Sequence, residues 1–303
     1  MANPVFEELK NKIKSGNPIT RLIIINIAVF IFFILLQIIY DATDKSSSSS
    51  FFIQAFVESI SFPLNINTLL HSPWSLITSM FSHGEILHLF WNMITLYWFG
   101  KILSDYTSEK KIIPLYILGG ISGAIVTFLI VNTIPALAVY QSKFIMGASA
   151  SVTAIIIASA TLVPNVKINL LFIGPVKLLY VALFVIFIDI LNISMQASLV
   201  GNLSHLGGAL MGFLFIVQYK KGVDMSKGIT KFLDWLSGLF KSGPKSKMNV
   251  AYKRKVSDEE YNYNKKMEQD TIDKILDKIS KSGYDSLSKT EKEILFKASG
   301  KNK

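Results

Sequence analysis

Cysteine is absent from the 303 residues, which removes disulfide staples, thiolate nucleophiles and cysteine-based zinc sites from consideration. The absence says nothing about compartment. Charge is also sparse, at 17% of residues against 50% hydrophobic, and what charge there is falls unevenly. Residues 1–219 carry 11 Lys/Arg and 9 Asp/Glu, whereas residues 220–303 carry 20 and 12. The front of the chain is membrane-like, with a mean hydropathy over the whole chain of +0.42, and the tail is soluble and basic.

Six apolar stretches, 22–40, 86–106, 112–131, 144–162, 178–193 and 205–219, approach the roughly 20 residues that a helix needs to cross a bilayer core. The last two are short. The first follows a polar segment with Lys10, Lys12, Lys14 and Arg21, and no small-residue cleavage site follows it, so it reads as a retained span. The fold class expected is an all-α membrane protein: a six-helix transmembrane bundle with a small soluble helical domain. The expected divisions are 1–21, a 22–219 membrane domain, a 220–256 amphipathic helix and linker, and 257–303.

Orientation follows from the basic residues, which favour the cytoplasmic side. Lys110 and Lys111, then Lys167 and Lys177, then the tail, mark one side, whereas 41–85 holds Lys45, 132–143 holds Lys143, and 194–204 holds none. Both termini of this multi-pass protein are therefore expected in the cytoplasm; a bacterial cytoplasmic membrane is the expected location, which the basic residues do not themselves indicate. His88 and Asn92, Ser149, and His205 then lie near the outer starts of the second, fourth and sixth spans. A polar group at membrane depth is a functional-site candidate by default. At about 1.5 Å rise per residue, Ser149 lies on the order of 10 Å below the outer boundary.

Serine and histidine are the minimum pair for nucleophilic catalysis. Small residues offer the approach they need: Gly208 and Gly212 form G-x-x-x-G beside His205, and Gly147, Ala148, Ala150, Ser151 and Ala154 surround Ser149. His88 and Asn92, four apart on one face, are placed to donate to a developing oxyanion. Taken alone, Ser149 reads as a packing serine bonded one turn back, and His205, His88 and Asn92 as interhelical polar glue. The ordered set reverses that reading. Asp189, the other intramembrane ionisable group, reads as a structural or water-facing acid, with a role as third triad member the less favoured alternative.

At these residues the chain resembles the rhomboid family of intramembrane serine proteases: His83-x4-His88-x3-Asn92, then Gly147-x-Ser149, then His205-x2-Gly208-x3-Gly212. The resemblance covers about residues 18–220 and implies a rhomboid-like six-helix bundle. It implies Ser149 as nucleophile, His205 as general base and acid, and His88, Asn92 and the Ser149 backbone N–H as oxyanion donors. His83, Gly147, Gly208 and Gly212 support them, and Trp74 with Thr78 belongs to the loop after the first span. No cofactor and no metal is implied. Three positions depart from the family's frequent residues: Ala150 for glycine, Thr153 for an aromatic that stacks on the histidine, and Ser75 for arginine.

In the tail, Ile229, Phe232, Leu233, Leu236, Leu239 and Phe240 recur at helical spacing beside Lys227, Lys231 and Lys241, a pattern expected on anionic lipid. Residues 243–256 read as a basic linker whose charge suits lipid or solvent rather than nucleic acid. Ser257-x-x-Glu260 and Ser288-x-x-Glu291 are capping boxes that open two helices, with Ile272, Ile275, Leu276 and Ile279 as a stripe and Gly283 as the stop. A hairpin of this size has little core, so packing on a partner or self-association is expected.

The resulting functional reading is an intramembrane serine endopeptidase, a peptide-bond hydrolase that cuts transmembrane protein substrates near their outer ends through a Ser149–His205 dyad. A rhomboid-like protein that binds transmembrane clients with weak or no cleavage is the alternative. A transporter is disfavoured, because intramembrane charges are few and the two halves show no repeat.

Overall fold

The computed structural model describes residues 16–43, 48–170, 173–195, 198–240 and 258–300. The chain divides into two compact units, Met1–Lys241 and Ser242–Lys303. Lys10, Lys12 and Lys14, the 243–256 linker and the capping box that begins at Ser257 lie outside the described residues.

Helix α1 (Pro18–Thr43) opens where Asn17 Oδ1 accepts the Ile19 N–H at 2.9 Å, with proline in the first helical position. Next come α2 (Ser48–Ile60), the two-residue strand β1 (Phe62–Pro63), and the short helices α3 (Ile66–His71) and α4 (Ser75–Thr78). Trp74 and Thr78 do fall in this connection. Trp74 Nε1 donates to Ser59 O at 2.9 Å and Thr78 Oγ1 to Ile60 O at 2.7 Å, which ties α4 to the end of α2.

A 3-10 turn (Ser79–Phe81) leads into α5 (Ile86–Tyr106), followed by α6 (Ile112–Thr133). Strand β2 (Phe144–Ile145) pairs antiparallel with β1, setting Phe62 opposite Ile145. Helix α7 (Ser149–Leu162) then runs to a hairpin of β3 (Lys167–Leu170) and β4 (Gly174–Lys177), and α8 (Leu178–Ser194), α9 (Leu199–Lys220) and α10 (Ser226–Phe240) complete the unit. Among the described residues, Pro18–Ala42, Glu109–Thr133 and Leu199–Lys220 are long and apolar enough to cross a membrane, while α7 and α8 are apolar but shorter.

Two expected boundaries are corrected. The 144–162 stretch is helical only from Ser149, because β2 and a turn at Gly147 use its first residues. The helix expected over 205–219 begins earlier, at Leu199, so His205 sits in its second turn rather than at its start. Hydropathy shows neither boundary, since Phe144, Ile145 and Met146 are as apolar as the helix that follows.

Helix α7 is the axis of the bundle. Every residue from Ala150 to Ala160 is buried, as expected for a helix apolar all round. Its small side chains admit neighbours closely. A Cβ on Gly208 or Gly212 of α9 would lie 2.1 Å from the carbonyl oxygen of Ala150 or Ala154 respectively, so these two backbones touch. On the other side of α9, Ser122 Oγ of α6 donates to Gly207 O at 2.8 Å. At about 1.5 Å per residue, 14 residues rise about 21 Å, short of the roughly 30 Å hydrocarbon core. An α7 that reaches one boundary therefore begins about 10 Å inside the other.

Helix α10 exposes Phe232, Trp235 and Leu236 on one flank, with Phe232 and Trp235 ring centroids 5.8 Å apart. Lys111, in the turn between α5 and α6, bonds Asp224 and reaches Ser226 Oγ at 3.1 Å, which fixes the start of α10.

In the second unit, α11 (Asp258–Ser282) stops at Gly283, whose φ is +73°, and α12 (Lys289–Gly300) follows. The Ser288 capping box forms in both directions: Ser288 N–H to Glu291 Oε2 at 2.7 Å, and Glu291 N–H to Ser288 Oγ at 3.3 Å. Lys278 Nζ on α11 bonds Glu291 Oε1 at 2.9 Å and joins the two helices, and Ile275 and Leu287 are buried.

Candidate active site

Ser149 is the first residue of α7, where helix geometry leaves the leading N–H groups without intrahelical acceptors and the peptide dipoles sum to a positive end. The approach to it is held from two sides. Gly147 takes φ +111°, a left-handed conformation open to glycine, and donates its N–H to Ser79 O at 2.9 Å. The next N–H, of Ala148, donates to Nε2 of the buried His83 at 3.3 Å. Those anchors are themselves fixed, since Tyr116 Oη donates to Met80 O at 2.7 Å and Asn26 Nδ2 lies 3.2 Å from that hydroxyl.

Helix α5 brings His88 and Asn92 to the same end. The His88 ring lies against the turn, so a Cβ on Gly147 would stand 2.8 Å from its Cε1, and it meets the His83 ring edge to face at 5.3 Å. Asn92 is buried and donates one amide hydrogen to His88 O at 2.9 Å, which leaves its second amide hydrogen for another acceptor.

Helix α9 supplies His205, and α8 supplies a residue for which the sequence favoured a different role. Asp189 Oδ1 lies 2.8 Å from His205 Nδ1, and Asp189 is buried. The contact is the one that the less favoured alternative, a third triad member, requires. The signal available was its isolation as an acid inside an apolar stretch. Asn26 and Tyr116 carry no functional signal in the sequence, since one polar group in a long apolar helix looks like ordinary packing.

His88, Ser149 and His205 border two cavities at once. One, of about 320 Å³, is walled by α5, α7 and α8 and includes Asn92, Thr153, Phe184 and Asp189. The other, of about 570 Å³, includes Tyr140, Lys143, Met146 and the start of α9. Of the eight residues singled out in sequence, Ser149, His205, His88, Asn92, His83 and Gly147 thus gather at one end of α7, while Gly208 and Gly212 line the α7–α9 contact. No hydrogen bond joins Ser149 Oγ to His205 among the described residues. An arrangement with a serine hydroxyl, an imidazole and several unpaired N–H donors around one space is chemically suited to acyl transfer.

Residues 70–221 match the Rhomboid domain, and residues 256–301 match a family of unknown function, DUF6576. RHOMBOID-like protein 12, mitochondrial, of Arabidopsis thaliana is 33% identical over 158 residues, 49% of this chain and 47% of the relative. Presenilin-associated rhomboid-like protein A, mitochondrial, of Danio rerio is 23% identical over 46% of this chain and 36% of the relative. RHOMBOID-like protein 5 of Arabidopsis thaliana is 29% identical over 46% and 42%. The chain thus spans less than half the length of the curated relatives it matches. The helical bundle and the Rhomboid domain match over half of the sequence lead to one assignment: the chain belongs to the rhomboid family.

Proposed function

We propose that this rhomboid is an intramembrane serine endopeptidase that cleaves transmembrane protein substrates near one end of their spans. The observation that carries the reading is the placement of Ser149 at the unpaired N-terminus of a buried helix, between two cavities that it shares with His205 and His88. A chain drawn from one cavity to the other would present a carbonyl to the serine.

In the proposed mechanism, His205 takes the Ser149 proton as Oγ bonds to the scissile carbonyl carbon. The developing oxyanion accepts from the Ser149 N–H, the remaining Asn92 amide hydrogen and His88. His205 then returns its proton to the leaving amine as the C–N bond breaks. Water, deprotonated by the same imidazole, attacks the ester and releases the carboxylate product and free Ser149. No metal enters these steps, so activity is expected to persist in chelator. The proposed substrates have small residues and a weakened helix at the cut, since the peptide bond must leave helical geometry to reach Oγ.

In the proposed topology, the basic turn at Lys110 and Lys111 and the soluble tail lie on the cytoplasmic side of a cytoplasmic membrane, with Ser149 toward the outer leaflet. The soluble hairpin is proposed as a 257–303 domain that binds a protein partner or a second copy.

A second reading, binding of transmembrane clients without cleavage, is favoured by the missing Ser149–His205 hydrogen bond and by Ala150 and Thr153, which stand where the family often has glycine and an aromatic. Fluorophosphonate labelling of membranes separates the two. Labelling that disappears in both Ser149→Ala and His205→Ala supports the protease, and an unlabelled, folded wild-type protein leaves client binding as the reading to keep.

A further inference from the structure

Helix α8 buries only Leu178, Ala182 and Asp189, and its other faces are lined with large apolar side chains such as Phe184, Phe187 and Ile190. An acid among them carries a desolvation cost that a leucine would not. Its compensation is narrow. Oδ1 meets His205 Nδ1 at 2.8 Å, while Oδ2 is buried with no partner among the described residues. This contact is also the hydrogen bond that joins α8 to α9 among the described residues.

We propose that Asp189 is a positioning residue for His205, fixing both the tautomer and the rotation of the imidazole; the proposal rests on the Ser149–His205 reading above. An ionised carboxylate has only acceptors, so the shared hydrogen belongs to Nδ1. The lone pair then belongs to Nε2, on the opposite edge of the ring, as a base for Ser149 requires. Without an acceptor at Nδ1 the ring is free to hold its proton on either nitrogen and to turn about its side-chain bonds. Because the serine and the histidine share no direct bond in the resting protein, the contact with Asp189 is what specifies the ring. Ionisable side chains facing the same space are His88 from α5 and, across the larger cavity, Tyr140 and Lys143. None of them is bonded to His205.

The test uses full-length protein in detergent with two readouts. Nitrogen-15 histidine spectra, with His205 assigned by its loss in His205→Gln, should show the Nδ1–H tautomer in the unsubstituted protein. In Asp189→Asn the amide can donate to Nδ1, and the Nε2–H form should appear. On a transmembrane substrate, Asp189→Asn should lower kcat by roughly 10- to 1000-fold with KM nearly unchanged, and Asp189→Glu should recover part of the loss. An Nε2–H tautomer in the unsubstituted protein overturns the proposal even if a variant fails to fold. So does wild-type kcat in folded Asp189→Asn, or a loss confined to KM. If the unsubstituted protein shows no Ser149-dependent turnover, the protease reading fails by itself, and the tautomer spectra still decide whether Asp189 fixes His205.

Discussion

A methyl group on residue 147 would stand 2.8 Å from the His88 ring and would force a side chain into a φ of +111°. Gly147→Ala should therefore destabilise the site by about 1–3 kcal/mol of backbone strain and displace Ser149 or His88. Turnover should fall roughly 10- to 100-fold, the usual cost of a misplacement near 1 Å, and unchanged kinetics would show that the turn does not set the geometry. Asn92→Ala removes a proposed oxyanion donor, and kcat should fall roughly 10- to 1000-fold while slow fluorophosphonate labelling persists. Equal turnover would reassign Asn92 to its bond with His88 O. His88, Asn92, Ser149 and His205 stood out because each is polar inside an apolar stretch and the set follows the order of the family's motifs. The Asp189–His205 contact was legible only as the less favoured alternative, because it joins two helices through a packing that no periodicity encodes.

At the scale of elements, the contact between α7 and α9 depends on the missing side chains of Gly208 and Gly212. Their neighbours are backbone carbonyls that cannot swing away, so Gly208→Val or Gly212→Val should drive the helices apart. Overpacking of this kind costs about 1–3 kcal/mol or more, and thermal melting in detergent should fall measurably for both variants. A stable Gly212→Val would contradict the close approach. The α5 boundaries were legible because Gly84-Glu85 and Thr107-Ser108 bracket a mostly apolar stretch. The start of α7 was not, because the turn at Gly147 lies inside one. On the Lys111 side, hydrogen bonds from Lys111 first, then from Ser226, lower the Asp224 pKa from 3.8 to about 2. A depressed carboxylate contributes stability that is present above its unfolded value and is lost as pH falls through the folded one. The Asp224 carboxyl carbon should thus titrate near pH 2, and Lys111→Met should return its midpoint toward 3.8. A wild-type midpoint already near 3.8 would remove the clamp.

For the whole molecule, every residue assigned to the proposed chemistry lies in the first compact unit, whereas the Lys278–Glu291 hairpin forms the second. Truncation after Ser242 should leave cleavage of a generic transmembrane substrate within about twofold of the full chain, within the margin expected for independent sites. A truncation that folds yet is as inactive as Ser149→Ala would show that the two units act together. The most direct measurement is cleavage of a purified transmembrane substrate in proteoliposomes by the full-length protein, Ser149→Ala and His205→Ala, with products identified by mass. Cuts within or beside the substrate span that vanish in both variants are predicted. Identical products from wild type and Ser149→Ala, or none from any folded protein over a range of substrates with small residues at the membrane edge, would contradict the account.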